Sequence, residues 1–212
     1  MTDLPINPAG NMDLQALQQR RKQVLTVGVV IWVLLLLFTK SHWDTAPTIR
    51  AAIAGVGLLA ILVCIMGRTW CTLYIGGLKK RELVTAGPYS VVRNPLYVFT
   101  SIGAAGIGAQ NGSIVLAVLF FAATLAVFQV VARREEAFLA SAFPEFAAYS
   151  ARVARFWPRL SLWQEADELR VRPRLVRRTF LDACVFLLAV PAADVGAWLQ
   201  QALRLPVLFT LP

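Results

Sequence analysis

The hydrophobic residues of this chain come in long blocks without charge, and that pattern most restricts the folds open to it. Ala51 to Met66 and Leu96 to Ala109 hold no charged side chain. Val24 to Phe38 is broken only by Thr26 and small neighbours, and Ile114 to Ala132 has only Thr124 and Gln129 as polar residues. Thr179 to Leu203 carries Asp182 and Asp194 but is otherwise apolar. Backbone in hydrocarbon must satisfy its own polar groups, and a helix does so within one segment. With ~20 residues needed per crossing, the blocks predict an all-α polytopic membrane bundle of about five segments. The third block is short for a full span. The third and fourth are expected to form a tight helical hairpin turning at Gln110-Asn111-Gly112-Ser113. A composition of 58% hydrophobic residues fits membrane segments better than a large soluble core.

The first block is expected to be retained as a membrane helix. It follows 23 residues that include Asp3 and Asp13, and no A-x-A-like cleavage site follows it. Orientation follows from the cations. On this map one side holds Arg20, Arg21, Lys22, Arg68, Lys79, Lys80, Arg81, Arg93 and every basic residue from Arg133 to Arg178, which is 18 of the 21. Lys40, Arg50 and Arg204 fall on the other. The asymmetry places the N-terminus and the connections around Arg93 and Arg133 in the cytoplasm; the membrane is expected to be an inner membrane of bacterial type. A basic face against anionic lipid accounts for the net charge of +9, so nucleic acid is not an expected partner.

Cys64, Cys71 and Cys184 are odd in number and lack C-x-x-C spacing, so neither a disulfide framework nor a zinc site is expected. His42 stands beside Trp43 at a predicted interface and reads as an anchor rather than a metal ligand. Residues 1–12 carry Pro5, Pro8 and Gly10 and read as mobile, and Asp13 to Lys22 can begin a helix. Thr72 to Ile75 and Glu82 to Thr85 flank Gly76-Gly77, a pattern that predicts a small hairpin. Arg133 to Tyr149 reads as a helix that leaves the membrane and is broken or restarted at Pro144. Arg152 to Arg178 is basic, with Trp157, Leu160, Leu162 and Trp163 interleaved, and reads as interfacial.

Two stretches carry more chemistry than a connection between membrane helices requires. Leu83-Val84-Thr85-Ala86-Gly87-Pro88-Tyr89-Ser90-Val91-Val92-Arg93-Asn94-Pro95-Leu96-Tyr97 places a Gly-Pro turn, two tyrosines and an arginine between apolar segments. Arg133-Arg134-Glu135-Glu136-Ala137-Phe138-Leu139 runs on through Phe143, Tyr149, Arg152, Val153, Phe156 and Pro158. Glycine with proline lets backbone approach a ligand, while tyrosine offers a ring and a donor. A guanidinium at a membrane interface can fork onto a carboxylate. Neighbouring helical residues point about 100° apart, so Glu135 and Glu136 should serve different partners. One is expected to bind a ligand and the other to pair with a basic neighbour such as Arg133 or Arg134. Gly103, Gly106 and Gly108 permit close approach of another helix or of a ligand.

Together, in this order, the two stretches resemble the signature of the integral-membrane methyltransferases typified by isoprenylcysteine carboxyl methyltransferase, to which the phospholipid methyltransferases are related. The resemblance covers roughly Gly67 to Pro158. It implies one methyltransferase domain over 1–212, with an N-terminal segment at 1–22, a cofactor and catalytic region at 67–158 and a C-terminal membrane segment at 179–212. The implied cofactor is S-adenosylmethionine, with contacts at Val84, Thr85, Gly87, Tyr89, Asn94, Tyr97, Glu135 and Glu136. Arg93 and Arg152 stand where arginines of this family hold the substrate's carboxylate. Asn94 stands where the family usually has histidine. Asparagine cannot take up a proton near neutral pH, and an ionised carboxylate acceptor needs no base, so a small or lipidic carboxylate substrate is favoured. Methylation of a phospholipid or other amine, a nicotinamide-dependent reductase of the sterol type and a non-enzymatic membrane protein on the same scaffold are the alternatives.

Overall fold

The computed structural model describes residues 28, 30–76 and 82–212. The expectations for residues 1–22 and the basic cluster 79–81 therefore lie outside the described residues. The described chain is mostly helical. Residues 30–38 are helical (α1) and finish the first apolar block. They are followed by α2 (Pro47–Ile75), α3 (Pro88–Val91), α4 (Pro95–Ala109), α5 (Ile114–Ala142), α6 (Phe146–Arg152), α7 (Pro173–Cys184) and α8 (Ala189–Ala202). Proline opens α2, α3, α4 and α7, where its fixed φ suits a first turn and its missing N–H costs no helical bond.

Among the described residues, three stretches are long and apolar enough to cross a bilayer: Pro47–Ile75, Ile114–Ala142 and Pro173–Ala202, in which a short 3-10 turn joins α7 to α8. At ~1.5 Å per residue, the 29 residues of α2 or α5 are longer than a ~30 Å hydrocarbon layer is thick, with length left over for tilt or for turns outside it. α4 is apolar but only 15 residues long. It returns into α5 through Gln110 and a Gly112 at φ +70°, and the Ser113 hydroxyl caps α5 by accepting from Leu116 N at 3.2 Å. Val118, Leu119 and Val130 stand exposed along α5, as side chains facing lipid do.

The predicted hairpin at Thr72–Ile75 does not form, because α2 continues through it. Within α2 the Thr69 hydroxyl donates to Ile65 O at 2.7 Å and that of Thr72 to Arg68 O at 2.8 Å, so both polar groups are satisfied inside the helix. Glu82–Thr85 is irregular. Pro144 does separate α5 from α6.

The core lies where α2 meets α4 and the α7–α8 pair. Ile61, Ile65, Ala183 and Ala189 are buried together, with Trp32, Ile107 and Phe186 packed against them. α2 and α4 cross on glycine. A Cβ at Gly106 would sit 2.5 Å from Gly57 O, and one at Gly57 would sit 2.7 Å from Ala109 Cβ. One end of the bundle is tied by a two-stranded parallel pair, β1 (Thr39–Ser41) with β2 (Phe209–Leu211). There Ser41 donates to Gly112 O at 2.7 Å and Gln200 to Leu37 O at 3.1 Å. Lys40 and Arg50 belong to this end; the signature stretch and the paired glutamates belong to the other.

Two outcomes follow. Gly106→Leu should lower stability by ~1–3 kcal/mol through overpacking, read as a fall in the melting midpoint in a fixed detergent; an unchanged midpoint would mean the helices do not meet there. Cysteines introduced at Glu82 and at Lys40 should react with an impermeant maleimide from opposite faces of oriented vesicles. Labelling of both from one face would break the two-ended arrangement.

Candidate active site

The signature stretch folds as a turn pinned from outside. Gly87 takes φ +58°, in the left-handed region, and any Cβ on it would strike the ring of Tyr74. Its N–H donates to Gln164 O at 2.7 Å. The Ser90 hydroxyl donates to Gly87 O at 2.6 Å and accepts from Gln164 N at 3.0 Å. Main-chain bonds then run from Arg159 N to Val91 O (3.0 Å), Arg93 N to Ala154 O (2.9 Å) and Asn94 N to Arg155 O (3.2 Å). Residues 153–164 thus form a strap along residues 87–94. Trp163 stacks on Trp70 at 5.5 Å between ring centres. The basic segment expected to be wholly interfacial spends its first part on the turn, while Trp157 and Leu160 stay exposed.

Beneath the strap, Glu136 is the hub. It is 9% exposed and accepts from three side chains. Arg93 reaches it through Nε and Nη2, both at 3.2 Å. Arg155 gives Nε at 3.0 Å and Nη2 at 2.7 Å, and Asn94 gives Nδ2 at 3.1 Å. Glu136 does pair with basic residues, but these are Arg93 and Arg155, not the adjacent Arg133 or Arg134. Strap and turn bring the two distant cations onto the carboxylate, and Arg133 instead reaches Gln129.

Arg93 also donates through Nη1 to Ser150 O at 2.5 Å and Val153 O at 2.9 Å, so it ties the last turn of α6 to α5. Its fork is occupied by protein groups. Arg155 is made more basic by its hydrogen bonds to Glu136. With its amide turned so that oxygen faces the cations, Gln129 accepts from Arg155 at 3.1 Å and from Arg133 at 3.3 Å.

Glu135 faces elsewhere. It accepts from the Tyr97 hydroxyl at 2.9 Å, and the Tyr97 ring stacks on Phe128 at 4.3 Å. Tyr89 is 5% exposed, and its hydroxyl has no hydrogen-bond partner. Burial pushes the Tyr89 phenol up, so it stays protonated. Tyr149 is likewise pushed up, by burial first, and donates to Tyr89 O at 2.7 Å. Val84 packs on the cluster of Cys71, Tyr74 and Tyr89, and Thr85 is half-buried beside it.

The structure therefore brings Gly87, Tyr89, Arg93, Asn94, Tyr97, Glu135 and Glu136 to one junction of α2, α4 and α5. Arg152 is not brought in. It is exposed, and Arg155, one turn of sequence later, occupies the inward place. Sequence reasoning missed Arg155 because Arg152 and Arg155 are alike in type, and only the path of the strap after α6 decides which turns inward. An open groove of about 500 Å3 lies apart from this junction, lined by Arg172, Arg174, Arg177 and Arg178 along a single helix.

If Glu136 holds strap, turn and α5 together, Arg155→Gln should cost ~1.5–3 kcal/mol, the range for hydrogen bonds to a charged group. Arg152→Gln should leave the melting midpoint unchanged. Equal losses in the two variants would remove Arg155 from the hub.

Comparison with known proteins agrees with the resemblance seen in the motifs. The phospholipid methyltransferase family profile matches residues 51–145. The cobalt-zinc-cadmium resistance protein CzcN of Cupriavidus metallidurans is 38% identical over 192 residues, 88% of each chain. The nickel-cobalt-cadmium resistance protein NccN of Alcaligenes xylosoxydans xylosoxydans is 36% identical over 196 residues, 92% of each chain. No solved structure matches the chain. The signature turn, the paired glutamates and these similarities make the chain a member of the phospholipid methyltransferase family, within the isoprenylcysteine-carboxyl-methyltransferase-like group of membrane methyltransferases.

Proposed function

We propose that this protein is an S-adenosylmethionine-dependent methyltransferase of the bacterial inner membrane that methylates a carboxylate on a small or lipidic acceptor, with its site at the cytoplasmic end of the bundle. The observation that carries the reading is the division of labour between the glutamates. Glu136 is consumed by Arg93, Arg155 and Asn94, and its work is to hold the junction. Glu135 is half-buried, has a tyrosine hydroxyl on one oxygen, and is turned to the other side.

The residues present fit the cofactor. Glu135 with Tyr97 would meet its ammonium group or ribose hydroxyls, and the unpartnered Tyr89 hydroxyl offers a buried hydrogen bond. Gly87 keeps side-chain bulk away from the turn. When bound, the cofactor supplies an electrophilic methyl group on a sulfonium. The protein's part is to align the acceptor and to limit water. Arg93 acts through Glu136, fixing α5 against the turn, and so positions Glu135 without touching the acceptor. Asn94, a donor to Glu136, offers no base, which favours an acceptor already ionised at neutral pH.

The relatives' names place them in resistance to divalent metals, and we extend that setting to this chain. Two guanidiniums on one carboxylate leave the junction cationic, which disfavours a divalent metal there. The contribution to resistance is then methylation of a membrane component rather than capture of the metal.

Calorimetry on detergent-purified protein should show binding of S-adenosylhomocysteine, weakened at least ~10-fold in Glu135→Gln, the scale of one lost charge-assisted hydrogen bond. NADPH should not bind. Membranes incubated with methyl-labelled cofactor should yield label released as volatile methanol by mild base, the mark of a methyl ester. Base-stable label would point to amine methylation, and binding of NADPH alone would return the reductase reading.

A further inference from the structure

One cation at the junction lacks the anion that its position demands. Arg68 lies in α2 just past the charge-free stretch of residues 51–67, half-buried against α4. Its Nη1 donates to Thr100 Oγ1 at 2.6 Å, and the Thr100 hydroxyl proton is spent on Leu96 O at 2.7 Å. The Arg68 Nε is buried and has no hydrogen-bond partner. No acidic side chain pairs with Arg68 among the described residues. A half-buried guanidinium beside hydrocarbon without an anion is costly. The neighbouring cations are not in this state: Arg93 and Arg155 are spent on Glu136.

A second unmet donor lies against the next turn of α2. The Tyr89 side chain packs on Cys71, one turn after Arg68 on the same face of α2. Its hydroxyl is buried, unpartnered and within electrostatic range of Cys71, Tyr97 and Glu135. Thr100 lies one turn of α4 beyond Tyr97, which holds Glu135. Those two α4 residues, one helical turn apart, thus hold a cation and a carboxylate. That pair complements the two charges of an α-amino acid: ammonium towards Glu135, carboxylate towards Arg68.

We propose that Arg68, assisted by the Tyr89 hydroxyl, binds the carboxylate of the amino-acid tail of the cofactor where α2, α3 and α4 meet. This rests on the methyltransferase reading above and adds to it a residue outside both signature stretches. Arg68 is then a binding residue that selects for the tail, and the adenosine part is held independently of it.

Two probes separate tail from nucleoside: S-adenosylhomocysteine, which carries the amino acid, and 5′-methylthioadenosine, which does not. In calorimetry the parent should prefer the first by about tenfold or more, the worth of one charge-assisted contact. Arg68→Gln should bring the two affinities to within about twofold while leaving methylthioadenosine binding unchanged, which also certifies the fold of the variant. Arg68→Lys, which keeps charge but loses the fork, should show an intermediate preference. Tyr89→Phe should weaken only the homocysteine compound. An undiminished preference in Arg68→Gln and Arg68→Lys overturns the assignment of Arg68 alone, and means that water satisfies the buried Nε. A parent that binds neither probe overturns the methyltransferase reading and this inference with it.

Discussion

The structure at the functional end depends on one buried carboxylate held by two guanidiniums. Glu136 on α5 cannot sit 9% exposed as an anion without cations, and neither cation is local in sequence. Arg93 comes from the turn before α4 and Arg155 from the strap after α6. One charge therefore fixes the relative places of three separate parts of the chain. The net charge of the trio is positive, and Asn94, a neutral donor, adds a hydrogen bond without adding to it. A protonatable side chain at that position would have raised the local positive charge further.

Rigidity at this end is supplied from the membrane side. α2 and α4 approach closely enough that glycine is required where they cross, so the two helices cannot slide past one another. α5 packs against α4 but leaves much of its apolar surface to lipid. The helix that carries both glutamates is thus held mainly at its end, by charge, and along one side, by α4. Close packing at the crossing and ion pairing at the hub are complementary constraints: one sets distance, the other sets rotation of α5 about its axis. That rotation decides that Glu136 points to the strap and Glu135 to Tyr97.

Much of this was legible before the fold was known. Charge-free blocks about as long as a bilayer is thick read as helices, so α2 and α5 were plain. Their ends were not, because a helix that leaves hydrocarbon continues as far as its own hydrogen bonds allow; Thr69 and Thr72 bond back and carry α2 through a stretch that looked like strand. That Glu135 and Glu136 must part company followed from helical geometry alone. Which partners they choose did not, since Arg93 and Arg155 reach Glu136 from 43 and 19 residues away. The choice of Arg155 over Arg152 is a matter of where the chain turns after α6, and no property of either arginine announces it.

The strap meets the signature turn through main-chain atoms at Gln164, Arg159, Arg155 and Ala154. Main-chain bonds are blind to side-chain identity but depend strictly on count. Evolution can therefore exchange residues such as Trp157 and Leu160 on the outer surface with little consequence for the geometry beneath. Adding or deleting a single residue between Tyr149 and Gln164 is another matter. Before Arg155 it would carry that side chain away from Glu136, and after it the later carbonyls and amides would fall out of step with the turn. The strap behaves as a ruler: its outer side chains are free to change, but its length sets the register.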